Sequence, residues 1–259
     1  MRKRLRRGSM FAHAIHKSFR EFNRGIRTAK QPPGLPERAE WLTESCRGVL
    51  ASLGVTVSTE GSMPARGLIV SNHLSYLDIL CYASIAPCLF VAKSEVRSWP
   101  VFGRLATNGG TIYVDRKSRT DAVRAAKAIE DALRSCMRVV LFPEGTSSGG
   151  DTVLPFHAPL LESAISARSP STPAAIAYAI DGGDPKRDVC YWGEMTFATH
   201  FLGLLGKGNV HAQIVFGTSR DGLKDRKTAA KLLHTDVAAL HRQLQGAKDK
   251  HCVQTSERK

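Results

Sequence analysis

Acidic residues are scarce in this 259-residue chain: Asp and Glu number 23 against 37 Lys and Arg, which leaves a formal charge of +14. That imbalance favours an anionic partner, whether nucleic acid, an acidic bilayer or a phosphorylated small molecule, without choosing among them. Long apolar runs are also missing. The most apolar windows, 67–92 and 197–216, are broken by Asn72, His73, Asp78 and Lys93 in or beside the first, and by His200, Lys207, Asn209 and His211 in the second. A spanning helix needs roughly 18 or more uninterrupted apolar residues, so any membrane contact is expected from one side only. The basic start, Met1 to Arg7, leads into no apolar stretch or small-residue cleavage site, so no secretion signal is read. The six cysteines, at 46, 81, 88, 136, 190 and 252, form no C-x-x-C pair and no Cys/His cluster. This predicts reduced thiols in a cytosolic setting and no metal site. No dinucleotide fingerprint appears either, so no bound cofactor is expected.

At 42% apolar residues, the chain has enough to bury one sizeable core, and one domain with appended ends is expected. The first 30 residues carry a single acid, Glu21, and supply more than half of the net charge. At about 100° per residue, Phe11, Ile15, Phe19, Phe22 and Ile26 form one narrow stripe, with Lys17, Arg20, Arg24 and Arg27 on roughly the opposite side. Such a helix suits an anionic bilayer interface; the alternative is that the stripe packs on the protein's own core. Residues 1–35 are therefore read as a basic, membrane-interface arm and linker, closed by Gln31-Pro-Pro-Gly-Leu-Pro36. Beyond it a helical pattern runs to Gly54. Short β-rich runs then begin at Val55, Gly67, Leu89, Thr111, Arg138, Ala174 and Val210, with helical patterns near 77–86, 121–135 and 159–167 between several of them. This alternation predicts an α/β fold, with a largely parallel mixed sheet flanked by helices over 36–245. A closing helix is expected at 227–244, and a polar, disordered tail over 246–259.

The residues with the clearest chemistry are Ser71-Asn-His-Leu-Ser-Tyr-Leu-Asp78, directly after the apolar run at Gly67. Groups at the carboxyl end of a strand face the crevice where α/β proteins bind ligands. An imidazole there can take a proton from a hydroxyl, and a carboxylate on its other nitrogen would fix the tautomer. On a straight helix, His73 and Asp78 would lie about 140° apart, so the chain must turn between them, with Asp78 on the first turn of the next helix. Ser75 lacks the G-x-S-x-G elbow of a nucleophile, and Cys81 and Cys88 read as small core residues. Tyr191-Trp192-Gly-Glu-Met195 is distinctive but suggests no chemistry of its own.

Four blocks appear in order: Asn72-His73-x4-Asp78, Lys93-Ser-Glu-Val-Arg-Ser-Trp-Pro-Val-Phe-Gly103, Gly110-Thr-Ile-Tyr-Val-Asp-Arg116 and Phe142-Pro-Glu-Gly-Thr-Ser147. A weaker echo of a fifth stands at Pro173. Together, from 67 to 180, they resemble the PlsC-type lysophospholipid acyltransferase family. The resemblance implies a catalytic His73 and Asp78, and an acceptor site at Arg116, Glu144, Gly145, Thr146, Ser147 and, less directly, Lys93. It also implies transfer of a fatty acyl group from acyl-CoA or acyl carrier protein, as cosubstrate, to the free hydroxyl of a lysophospholipid, foremost 1-acyl-sn-glycerol-3-phosphate. The expected location is peripheral, on the cytoplasmic face of a membrane bearing anionic lipids. One departure concerns the acceptor. Where the family usually has arginine after Glu-Gly-Thr, this chain has Ser147, and His157 replaces a later lysine. The loss of charge opens a second expectation, a lyso-ornithine or similar lyso-aminolipid acceptor. A basic membrane- or nucleic-acid-binding protein without catalysis would explain the charge but not the order of the blocks, and no nucleic-acid partner is expected.

Overall fold

The computed structural model describes residues 1–29, 31–115 and 117–256, with side chains to Gly246. Two helices, α1 (Arg2–Thr28) and α2 (Leu35–Leu53), lead into an α/β body. The strands are β1 (Val55–Glu60), β2 (Gly67–Ser71), β3 (Leu89–Lys93), β4 (Ile112–Val114), β5 (Arg138–Leu141), β6 (Ser171–Ile180) and β7 (Val210–Phe216). They form one sheet in the order β1-β7-β6-β2-β5-β3-β4. All neighbours are parallel except β6 and β7, so the sheet is mixed but largely parallel.

Between the strands lie α3 (Leu77–Ile85), α4 (Phe102–Asn108), α5 (Arg119–Arg134), α6 (Glu162–Ser166), α7 (Pro185–Asp188) and α8 (Phe197–Leu204), and α9 (Arg226–Ser256) follows β7. The central strands read as continuous apolar runs because helices cover both faces. Successive residues go to opposite sides: Ile69 and Val140 join the core under α2, α3 and α4, while Leu68, Val70, Val139 and Leu141 join the core under α5, α6 and α9.

The stripe on α1 faces inward from Phe11 to Phe22, while Ile26 at its end is exposed: Ile15 is buried, the Phe11 ring lies 4.9 Å from Phe201 and 6.0 Å from Phe102, and Phe22 lies 4.7 Å from Trp41. Buried Arg7 fixes the start of the helix by donating to the carbonyls of Lys207 and Gly208 and to Asn209 Oδ1 at 2.9–3.1 Å. Apolar surface that can be covered by Trp41 and Phe201 is removed from water by folding alone, which favours the inward packing. At the C-terminal end, α9 continues past the expected 227–244 through Gly246 to Ser256, and 257–259 of the expected tail lie outside the described residues. One glycine costs a helix only about 1 kcal/mol relative to alanine, and no proline follows to end it.

Candidate active site

β2 and β5 lie side by side in the middle of the sheet, with Val70 opposite Leu141, so the loops that follow them meet at the sheet's carboxyl edge. Asn72 fixes the first loop. Its side-chain amide accepts from Ile176 N at 2.8 Å and donates to Ile176 O at 3.0 Å, extending the β2–β6 ladder by one side chain. His73 follows, and the chain turns before α3 as the spacing required.

Asp78, on the first turn of α3, is fully buried. Its Oδ2 accepts from His73 Nδ1 at 2.7 Å and from the backbone N–H groups of Leu74 and Ser75 at 2.7 and 3.1 Å. The carboxylate thus caps the turn that brings His73 to it. With Nδ1–H held by the carboxylate, Nε2 is left as the proton acceptor. Phe142, just past β5, stacks on the imidazole with centroids 4.3 Å apart and planes at 17°.

His73 and Phe142 line a cavity of about 240 Å³. Much of its wall is apolar, with Leu42, Leu80, Val96, Trp99, Phe102 and Leu105, and Lys93, Gly145, Thr146, Ser147, Tyr191 and Trp192 also line it. Lys93 is the one side chain of fixed charge among the described residues around it. The lysine-to-glycine block therefore supplies a wall: a 3-10 turn over Ser94–Ser98 leads into α4, which presents Phe102 and Leu105. Gly103 sits where a Cβ would come within 2.2 Å of Arg97 O, so the α4–turn packing admits only glycine.

The Glu144–Ser147 block divides in two. Gly145, at φ 72°, turns the backbone so that Gly145, Thr146 and Ser147 face the cavity. Glu144 points the other way: buried, with Oε1 accepting from His73 N at 2.8 Å and Oε2 from Leu154 N at 3.1 Å. Burial pushes its carboxyl up to about 7 despite these two donors. Glu144 thus braces the two loops and does not line this cavity. Arg116 lies outside the described residues.

Ser147 also has a partner of its own. Its hydroxyl donates to the carbonyl of Tyr191, whose N–H donates to Leu74 O at 2.8 Å. The Tyr191 ring packs edge-on against Tyr76 and Trp99 at 5.6 and 5.9 Å. The distinctive Tyr191-Trp192-Gly193 string is therefore a cavity wall pinned to both site loops, a role that no local pattern in the sequence signals. Ser75, by contrast, is buried and outside the cavity lining, and burial raises the Cys81 and Cys88 thiols, Cys88 to about 12. None of the three is placed to act as a nucleophile.

A family model described as Acyltransferase matches residues 54–177. A 1-acyl-sn-glycerol-3-phosphate acyltransferase of Neisseria meningitidis is 36% identical over 58% of this chain and 60% of its own length, so the match spans less than two thirds of that relative. Lyso-ornithine lipid O-acyltransferases of Rhizobium meliloti and Pseudomonas aeruginosa are 34% and 32% identical, over 70% and 74% of this chain and 68% and 72% of theirs. In fold, the crystal structure of the 1-acyl-sn-glycerophosphate acyltransferase PlsC from Thermotoga maritima superposes with a TM-score of 0.61 at 17% identity, over 90% of this chain and 88% of that one. With its ordered blocks, its mixed sheet and relatives matched over most of their length, the chain belongs to the PlsC-type acyltransferase family.

Proposed function

We propose that the protein transfers a fatty acyl group from a thioester, acyl-CoA or acyl carrier protein, to the free hydroxyl of a lysolipid, with 1-acyl-sn-glycerol-3-phosphate as the leading acceptor and phosphatidic acid as product. The reading rests on the 2.7 Å contact between His73 Nδ1 and Asp78 Oδ2 beside an apolar cavity. His73 Nε2 takes the hydroxyl proton as the oxygen attacks the thioester carbonyl, and Asp78 stabilises the imidazolium. The tetrahedral adduct collapses, the C–S bond breaks, and the imidazolium returns its proton to the departing thiolate. The apolar wall from Leu42 to Leu105 suits an acyl chain, while Lys93 and the Gly145–Ser147 backbone suit a polar head. Orientation of the two substrates would supply much of the rate enhancement.

A lyso-ornithine or other lyso-aminolipid acceptor is the second reading, favoured by Ser147 and by Lys93 being the cavity's one fixed charge among the described residues. Such a head group carries no phosphate and needs less positive charge than lysophosphatidate.

The protein is further proposed to work as a peripheral enzyme on the cytoplasmic face of a membrane with anionic lipids. None of the described helices is long and apolar enough to cross a bilayer. Lys17, Arg20, Arg24 and Arg27 are exposed on the outer face of α1, where they can meet acidic head groups.

The test is acyl transfer by purified wild type and His73→Ala, given palmitoyl-CoA or palmitoyl carrier protein with lysophosphatidate or lyso-ornithine lipid in parallel. Transfer to lysophosphatidate that collapses in the variant supports the leading reading. His73-dependent transfer to lyso-ornithine lipid alone moves the assignment to the second, and no transfer to either overturns both.

A further inference from the structure

Asp78 Oδ2 accepts from His73 and two backbone N–H groups, and its other oxygen is also occupied. Oδ1 accepts from the Tyr178 hydroxyl at 2.6 Å. Tyr178 comes from β6, 100 residues away in sequence, and is 1% exposed. Its oxygen in turn lies 3.9 Å from Cys81 Sγ. With the phenol proton given to the carboxylate, the thiol is the donor in that second contact. The result is a buried chain, Cys81–Tyr178–Asp78–His73, that starts in the core and ends at the cavity.

We propose that Tyr178 is a positioning residue for the proton transfer: its hydroxyl holds the Asp78 carboxylate in the plane that serves His73 and sets how strongly that carboxylate attracts the imidazole proton. This inference rests on His73 acting as the base. Tyr178 does not reach the cavity, so it acts only through Asp78.

A buried carboxylate oxygen without a donor carries a large desolvation penalty. Removing the phenol concentrates negative charge on the oxygen facing His73, so the imidazolium is held more tightly and the base is freed only at higher pH. Burial and the neighbouring Asp78 charge hold the Tyr178 phenol far above its usual range, so it stays a donor at every working pH. The titratable groups facing Asp78 are His73 on its own loop, Tyr178 from β6, Cys81 and Tyr82 from α3, and Glu144 from the loop after β5.

Tyr82 provides a matched control. It is equally buried and its hydroxyl donates at 2.7 Å, but to Ser71 Oγ. Tyr178→Phe is expected to lower kcat by about 10-fold and to move the acid limb of kcat/KM up by roughly half to one pH unit. Tyr82→Phe should leave that limb in place. Because burial also raises the Glu144 carboxyl to about 7, an activity profile alone does not isolate the imidazole, so His73 itself is followed by nitrogen NMR of its ring in the same proteins, and its signal should move with the limb in Tyr178→Phe alone. Should Tyr178→Phe fail to fold, 3-fluorotyrosine at 178 keeps the shape and makes a stronger donor, and the expected shift is in the opposite direction. An unmoved His73 titration in either Tyr178 variant, or an equal movement in Tyr82→Phe, overturns the proposal. The NMR reading does not depend on turnover, so an inactive wild type would count against the acyl-transfer reading while still testing this one.

Discussion

Glu144 accepts the backbone N–H of His73 at 2.8 Å and Ser148 N–H donates to His73 O at 2.9 Å, so the loop after β5 holds the His73 loop after β2 from both sides of one residue. The second Glu144 oxygen, on Leu154 N, ties in the chain ten residues further on. Burial of this carboxyl makes stability depend on pH. Burial raises the Glu144 carboxyl from 4.5 to about 7, so the folded state holds this proton more tightly than the unfolded one. Its contribution is therefore greatest below pH 4.5 and declines as pH rises through 7, by up to about 3 kcal/mol in total. Denaturant unfolding of wild type and Glu144→Gln at pH 5.5 and 8 checks this: the decline between the two pH values should be smaller in the variant by most of that amount.

Ser147 combines two roles that substitutions can separate. Ser147→Ala removes only the hydrogen bond to the Tyr191 carbonyl. Loss of about 1 kcal/mol predicts roughly a 5-fold lower kcat/KM for every acceptor, with their ratio unchanged. Ser147→Arg also adds a cation beside Gly145 and Thr146. It should raise the kcat/KM ratio of lysophosphatidate to lyso-ornithine lipid by about 10-fold, measured with both acceptors in parallel.

Gly103→Ala tests whether the cavity wall is a rigid unit. A methyl group there meets Arg97 O at 2.2 Å and Val96 O at 2.7 Å, both backbone atoms. Overpacking of about 1–3 kcal/mol is expected. A thermal scan should show Tm lower by roughly 2 to 12 °C, with loss of transfer as Phe102 and Leu105 shift.

The strands were the most legible part of the sequence, because the helix-covered sheet needs unbroken apolar runs and the seven runs begin within three residues of the seven strands. His73 and Asp78 were legible as a pair through the ordered blocks around them, and their spacing required the turn that the structure shows. Side-chain direction was not legible. Glu144 looks like a ligand because its neighbours Gly145 to Ser147 are cavity residues, yet alternate positions on a tight turn face opposite ways. Tyr178 lies within the apolar run of β6, where one hydroxyl makes no local pattern, and its partner is 100 residues away. The α1 stripe has the same periodicity whether it meets lipid or Phe201, and only the tertiary structure distinguishes the two. α8 was hidden for a related reason, since Phe197–Leu204 reads as part of a longer apolar window.

The long reach of Arg7 carries a consequence for the order in which this protein is made. Its acceptors stand 200 to 202 residues later in the chain. At a synthesis rate of about 5–20 residues per second, the first helix waits about 10 to 40 s for them to emerge. Through that interval Phe11 has neither Phe102 nor Phe201 to cover it at first, and gains Phe201 last. The exposed basic residues on the opposite face carry like charge, which disfavours association between two such uncovered helices. Charge reversal on α1 should therefore show first as poor yield of newly made protein, before any change in the finished enzyme's rate.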